Sequence, residues 1–427
     1  MKVLVLGSGA KDHAIAWWFS QSNLIEGLYI APANVGTTKI AVNLSDVDPS
    51  NPEQVYKACV KYDIDFVFIG TEAPLLTGVV DFLNKKGIDT FGTPSFALKL
   101  ENNRDFARKF MKKYKIPNSE YQSFSNIEDL EKFLEENSGK TFVAKKNNLS
   151  PSRMMIESSC KKELLEFSRE MLKTDKIILE NFIKGLPITL SILLDNKGYL
   201  PLPYCSEYSK SEENDTGKAT GGMGCICPIP LSKELKEKIK DQIVEPTLRG
   251  LASEHLSYKG VLTFSILIKN SDNLKSQPYL VDYHVRLNDP ATQAFVPTIK
   301  TDLVELMEEM KNDTLSSSKL EVTDQTTVSV VVASKGYPEN PEIGKTLASI
   351  SSIEKYNLDN SIPYFFFGAV HEDNDVIKTT GGRCVTVVGK GSNIINANSK
   401  VYKYINKIQF CDSWYRKDIG NKFFEET

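Results

Sequence analysis

Asp282, His284 and Arg286 stand at alternate positions within Leu280–Gln293, LVDYHVRLNDPATQ. Residues two apart on a strand point to one face, so this stretch would present an acid, an imidazole and a cation side by side. Leu280, Val281, Tyr283 and Val285 supply the apolar or β-branched character of a strand, and Asn288-Asp289-Pro290 breaks it. An edge strand with a polar outer face would read the same way, so the surroundings have to decide.

Three further stretches carry candidate chemistry. KVLVL (2–6), Gly7-Ser8-Gly9 and an apolar helix form a strand, turn and helix whose backbone N–H groups, Gly9 among them, can face an anion. Asp12 replaces the third glycine of a dinucleotide fingerprint, which points to a phosphate-bearing small molecule rather than NAD. The loops 7–13, 31–36 and 70–74 carry His13, Asn34 and Glu72. Each alone suits a cap or a turn; together they suggest a small polar pocket. Thr220-Gly221-Gly222-Met223-Gly224 lies in a stretch expected as a loop (207–224), where adjacent glycines let backbone approach a ligand.

The elements that must position these residues fall into four regions. Residues 1–100 alternate strands and helices as a doubly wound, Rossmann-like α/β domain, in which ligands bind beyond the strands' carboxyl ends. Residues 101–187 begin with a basic helical segment and continue as a compact α+β unit around KKNNLSPSR (145–153). Residues 188–324 hold strands at 188–195, 199–205 and 260–268, a helix at 231–253, and the opening stretch. Residues 325–427 read as a final α+β domain. No internal repeat is visible.

At 427 residues the chain exceeds one ordinary core. With 41% hydrophobic residues, 25% charged residues and a net charge of −3, small-molecule chemistry is the default, with neither nucleic acid nor a membrane surface as partner. The seven cysteines are scattered and lack zinc-ligand spacing, which suits reduced thiols. The first apolar run is too short for a signal segment, and the expected location is the cytoplasm.

Taken in order, MKVLVLGSGAKDHAIAW, APANVG (31–36), GTEAPL (70–75), KIPNSEYQSF (115–124), DTGKATGGMG (215–224), LVDYHVRLNDPATQ, SKGYP (334–338), GGR (381–383) and RKDIG (416–420) resemble one family over essentially the whole chain. It is the phosphoribosylamine–glycine ligase, or glycinamide ribonucleotide synthetase, family of ATP-grasp enzymes. The resemblance implies ATP with magnesium or manganese, a lid clamping the nucleotide, and glycine activated as a glycyl phosphate before phosphoribosylamine displaces phosphate. It implies nucleotide contacts from Arg104, Lys145, Arg153 and Glu180, and substrate contacts from Gly9, His13, Asn34, Glu72, Glu207, Gly221, Gly222 and Arg286. Arg286 and Asp289 take the catalytic positions, and Asp282 and His284 the metal positions.

The departures cluster on the ATP side. The family's glycine-rich phosphate loop is here VAKKNNLSPSRM, which keeps Lys145, has Arg153 where lysine is usual and contains no glycine. Pro151 also removes a backbone donor. Gly185-Leu186-Pro187 stands where an acidic pair is usual, and Phe366 and Ala369 replace a histidine and a threonine. Asp282 and His284 replace glutamate and asparagine, and a nitrogen donor turns ion preference away from magnesium. An active ligase with Arg104, Lys145 and Arg153 as compensating cations, a ligase of the same mechanism with another substrate, and a phosphoribosyl- or nucleotide-binding or regulatory protein without ligase chemistry all stay open.

Overall fold

The computed structural model describes residues 1–148, 155–269, 276–349, 364–374, 376–408 and 410–426. At the N-terminus β1 (Lys2–Leu6), β2 (Gly27–Ala31), β3 (Val42–Asn43), β4 (Phe66–Ile69) and β5 (Asp89–Phe91) form a parallel sheet ordered β3-β2-β1-β4-β5. The order reverses between β1 and β4, so a ligand crevice opens at their carboxyl ends. Val3, Leu4, Val5 and Leu6 are all buried, as in a parallel strand covered on both faces. The helical stretch after β4 is two pieces, Glu72–Leu76 and Val79–Lys85, because Gly78 between them takes a φ of +74°.

The basic segment is likewise divided. Helices Ser95–Asn102 and Arg104–Lys113 meet at Asn103, whose side chain caps the second by accepting the Phe106 N–H. Arg104 and Arg108, four apart, therefore share a helix face. Beyond them β6 (Tyr121–Phe124), β7 (Phe142–Lys146), β8 (Met155–Ser158) and β9 (Ile177–Asn181) form an antiparallel sheet ordered β6-β9-β7-β8. Phe124, Leu130, Phe142, Leu164 and Leu179 belong to a core that this unit shares with no other. Strands β7 and β8 pair antiparallel on either side of 147–154, and Arg153 lies outside the described residues.

The central region contributes β10 (Leu186–Leu194), β11 (Tyr199–Pro201), β12 (Ser206–Glu212), β13 (Thr216–Cys227), β14 (Gly260–Lys269) and β15 (Gln277–His284). Strands β11-β10-β14-β15 make one antiparallel sheet with β15 at its edge. That edge is covered: the Leu280 N–H donates to the Pro117 carbonyl at 2.8 Å. The stretch expected as a loop at 207–224 is mostly the hairpin β12–β13. Polar residues and glycines disguise it, but Tyr208, Met223 and Cys225 are buried where the hairpin joins the C-terminal sheet.

That sheet comprises β16 (Thr326–Ser334), β18 (Tyr364–Phe367) and β21 (Arg383–Gly391), ordered β12-β13-β16-β21-β18, with β22 (Ser413–Trp414) on β16. Strands β17 (Thr346–Ser349), β19 (Val370–Asp373) and β20 (Val376–Thr379) form a small separate sheet. The helix Ile394–Ile405 packs on β21 across Gly389 and Gly391. All seven cysteines are free thiols, and among the described residues no helix is long and apolar enough to cross a membrane.

A β-carbon at Gly389 would meet the Ala397 carbonyl oxygen at 2.3 Å and the Val401 nitrogen at 2.8 Å. Backbone of the opposing helix cannot give as a side-chain tip can. Gly389→Ala is therefore expected to destabilise the chain by about 1–3 kcal/mol, read as a lowered thermal midpoint. An unchanged midpoint would contradict this packing.

Candidate active site

Strand β15 and its continuation alternate as the spacing predicts. Tyr283, Val285 and Leu287 are buried on one face, which leaves Asp282, His284 and Arg286 on the other. Asp282 receives Lys145 Nζ on Oδ2 at 3.1 Å, and Arg108 and Arg104 on Oδ1 at 3.5 and 3.9 Å. Glu180 on β9 receives Lys145 at 3.1 Å and Arg108 Nε at 2.9 Å. Burial pushes the Asp282 carboxyl up, but Lys145, then Arg108 and Arg104, outweigh it and hold the group well below the usual carboxylate range. The sizes make this reasonable. Unit charges 4 Å apart at an effective dielectric of about 20 attract by roughly 4 kcal/mol, and three cations share this one carboxylate.

His284 and Arg286 converge on Glu101, at the end of helix Ser95–Asn102. His284 Nδ1 lies 3.2 Å from Glu101 Oε1, and its Nε2 lies 3.0 Å from Ser265 Oγ on the neighbouring strand β14. Arg286 sits 3.4 Å from Glu101 and donates to Glu72, at the carboxyl edge of the N-terminal sheet. Glu101 also accepts the Val285 N–H at 2.8 Å. Burial opposes ionisation of Glu101, yet Arg286 and His284 bring it down to about 2. Glu72 is lowered against burial by Arg286 and Lys11.

Past the strand, Asp289 pairs with Arg383 at 2.9 Å, and Arg383 also donates to the Gly221 carbonyl at 2.9 Å. The glycine pair is required by this approach. A β-carbon at Gly221 would lie 2.8 Å from the Arg383 guanidinium, and Gly222, at φ +116°, would drive one to 2.4 Å from Pro290. Glu207 accepts from Thr189 at 2.6 Å and from Asn288 at 3.1 Å, which braces the turn.

Gly9, His13 and Asn34 have other engagements. The Gly9 N–H, expected to face a ligand anion, donates to Asp12 Oδ2 at 2.9 Å. Asp12 fills the turn, since β-carbons at Gly7 and Gly70 would lie 2.3 and 2.0 Å from its carboxylate. His13 Nδ1 accepts the Phe367 N–H at 3.1 Å, and its ring stacks on Phe367. Asn34 donates to the carbonyls of Ser8 and Phe367 at 2.6 and 2.9 Å. Both side chains join the first turn to β18, whereas Glu72 turns to Arg286.

Asp282 and His284 do not fit a divalent ion in this arrangement. Such an ion wants several unengaged hard oxygens. Both Asp282 oxygens face cations, and both His284 nitrogens have partners. Among the described residues no three His, Cys, Asp or Glu side chains are grouped to hold a metal. Lys145 and Glu180, assigned to a nucleotide, meet at the same cluster, and Arg104 stands beside them.

Glu101, Arg108, Lys11 and Arg383 complete the assembly without having been singled out as site residues. The four-residue spacing of Arg104 and Arg108 was visible on a helix. Glu101 and Lys11 offered no local signal, because their partners are far along the chain. Lys11 is buried, with its pKa lowered by burial and by Arg286.

Three family models match the chain: the phosphoribosylglycinamide synthetase N domain over residues 1–101, its ATP-grasp (A) domain over 102–292 and its C domain over 327–422. Proteins named phosphoribosylamine–glycine ligase from Fusobacterium nucleatum and Neisseria meningitidis serogroup B are each 32% identical, over 99% of this chain and 99% of their own. A crystal structure of phosphoribosylamine–glycine ligase from Thermotoga maritima superposes with a TM-score of 0.81 at 26% identity, over 98% of this chain and all of that one. The biotin carboxylase domain of Hydrogenobacter thermophilus 2-oxoglutarate carboxylase, described with magnesium ADP, shares the fold at 13% identity, with a TM-score of 0.70 over 97% of this chain and 91% of that one.

Burial sets Asp12 and His13 against each other. His13 is pushed down to about 3. Between that value and about 6.5, the unfolded chain binds a proton there that the folded chain does not, so stability falls as pH falls. Asp12 is pushed up to about 6, chiefly by burial. Its contribution is present at low pH and is lost as pH rises from about 3.9 towards that value. Relative to the parent, His13→Gln should lose less stability on acidification, by about 3 kcal/mol, and Asp12→Asn more, by about 2 kcal/mol. Denaturation midpoints measured from neutral pH down to about pH 4 check the opposite signs; two variants parallel to the parent would refute them.

Proposed function

The chain belongs to the phosphoribosylglycinamide synthetase family, and from that footing we propose that it joins glycine to 5-phosphoribosylamine, using ATP, in purine biosynthesis. A glycine carboxylate oxygen attacks the γ-phosphorus, and the bond to ADP breaks. The amine of phosphoribosylamine then attacks the acyl carbon, phosphate leaves with the electron pair of the C–O bond, and the amine gives up a proton. A carboxylate oxygen is a poor leaving group until phosphorylation makes it a good one. The protein's task is to place two small substrates in line and keep water from the acyl phosphate.

The observation that carries this reading is the ionic assembly along Asp282–Asp289. It gathers Glu72 from the N-terminal sheet, Glu101, Arg104 and Arg108 from the linker, Lys145 and Glu180 from the lid, and Arg383 from the C-terminal sheet. A reaction that brings three charged small molecules together needs such convergence of all regions on one cleft. In this reading Arg104, Lys145 and Arg153 neutralise phosphates, while Arg286 and Asp289 orient the reacting groups. Magnesium or manganese arrives as the chelate of the triphosphate, hence as part of the substrate. Partners are small molecules, and the setting is the cytoplasm.

One observation favours a second reading, a nucleotide- or phosphoribosyl-binding or regulatory protein without ligase chemistry. Lys145, the lysine that the lid offers to phosphates, is already paired with Glu180 and Asp282. Stabilisation by phosphoribosyl compounds but not by ATP with metal would support it, since a ligand that prefers the folded state raises the thermal midpoint.

Purified chain supplied with ATP, magnesium or manganese, glycine and freshly generated phosphoribosylamine is expected to release ADP. Arg286→Ala should lower kcat/KM by about a hundredfold or more, some 2.7 kcal/mol of transition-state stabilisation. No ADP release with either metal would sink the ligase reading.

A further inference from the structure

We propose that the Asp282–His284 strand face holds no resident divalent ion, and that Arg104 and Lys145, backed by the buried Arg108, bind the ligand's phosphate chain directly. The inference rests on the ATP-dependent reading above and deepens it at the same cleft.

Charge is the first argument. Among the described residues, Arg104, Arg108 and Lys145 pair with two carboxylates, Glu180 and Asp282, which leaves one positive charge in excess. A divalent cation on Asp282 would sit among three cations that lie 3.1 to 3.9 Å from that carboxylate. An anion there is attracted by the same groups. The sign of the cluster selects phosphate and rejects free metal.

Donor inventory is the second. The Nε–H groups of Arg104 and Arg286 are buried without a hydrogen-bond acceptor among the described residues. A buried donor without a partner is costly, and phosphate oxygens would satisfy it. The alternative metal ligand is closed as well: His284 is held between Ser265 and Glu101, so a metal at that ring would have to break one of those contacts. Asp282 acts instead as a stand-in anion that keeps the cations gathered, and an arriving phosphate competes with it for them.

Two measurements on the full chain test this. Manganese titrated into the free chain, followed by electron paramagnetic resonance, should show no tightly bound ion. ATP affinity by calorimetry should agree within about threefold between excess EDTA and excess magnesium, because side chains supply the neutralising charge. Asp282→Asn should tighten ATP binding by about threefold or more in excess magnesium as well as in EDTA, since it frees positive charge; weakening in magnesium would mark a metal ligand and overturn the proposal. One tight manganese per free chain, or ATP bound only with magnesium, would overturn the proposal and leave the ligase reading standing. ATP bound under neither condition would overturn both the nucleotide contact proposed here and the ligase reading, and only that outcome touches the latter.

Discussion

Burying Asp282, His284 and Arg286 along one strand face obliges every neighbouring element to bring a counter-charge. A buried charge without a partner costs several kcal/mol, so the surroundings must be built around these three. Glu101 answers both His284 and Arg286, and Lys145, Arg108 and Arg104 answer Asp282. Well-packed apolar residues would stabilise a fold at least as well as such pairs. Their distribution over four regions of the chain therefore speaks for positioning rather than for stability. It also explains the β-bulge opposite Ser265 and Ile266, which shifts register just where Asp282 begins the polar face.

The same constraint determines what could be read from residues alone. The period-two pattern of β15 was legible because it is local, as were the parallel N-terminal sheet and the apolar strand Gly260–Lys269. The partners were not. Arg108 and Glu180 are 72 residues apart, and Arg286 and Glu72 are 214 apart. No periodicity reports such pairings, and the ordered motifs of the family narrow only where to look. The hairpin at 206–227 was hidden for a related reason: its glycines and polar residues resemble a loop until β16 covers them. Gly224 is small because a β-carbon there would lie 2.7 Å from the Ser329 carbonyl.

The first turn shows the opposite case, a strong local signal with a different occupant. A strand, two glycines and a helix do make a site for an anion, and an anion is present, but it is the carboxylate of Asp12. The chain thus answers its own helix start from three residues away, as in a capping box. With the turn filled, His13 and Asn34 serve to dock the N-terminal sheet onto β18. Trp17 extends that contact with its ring centroid 5.2 Å from Tyr364. Candidate ligand contacts in this region therefore shift from the turn itself to Lys11 and Glu72, whose charges face Arg286.

The lid brings these arguments together. Its sheet and two helices have their own core, so little apolar packing needs to change if it moves as a body. What holds it to the central sheet is electrostatic: Lys145 on β7 reaches Asp282 on β15, while Glu180 on β9 binds Arg108 in the linker. An apolar seam would resist opening whatever the ligand. A seam of ion pairs exchanges partners with an anion at smaller cost, because a cation released from Asp282 or Glu180 gains the anion's charge in their place. Placing an aspartate among three cations therefore both occupies its carboxylate and makes this seam one of exchangeable charge.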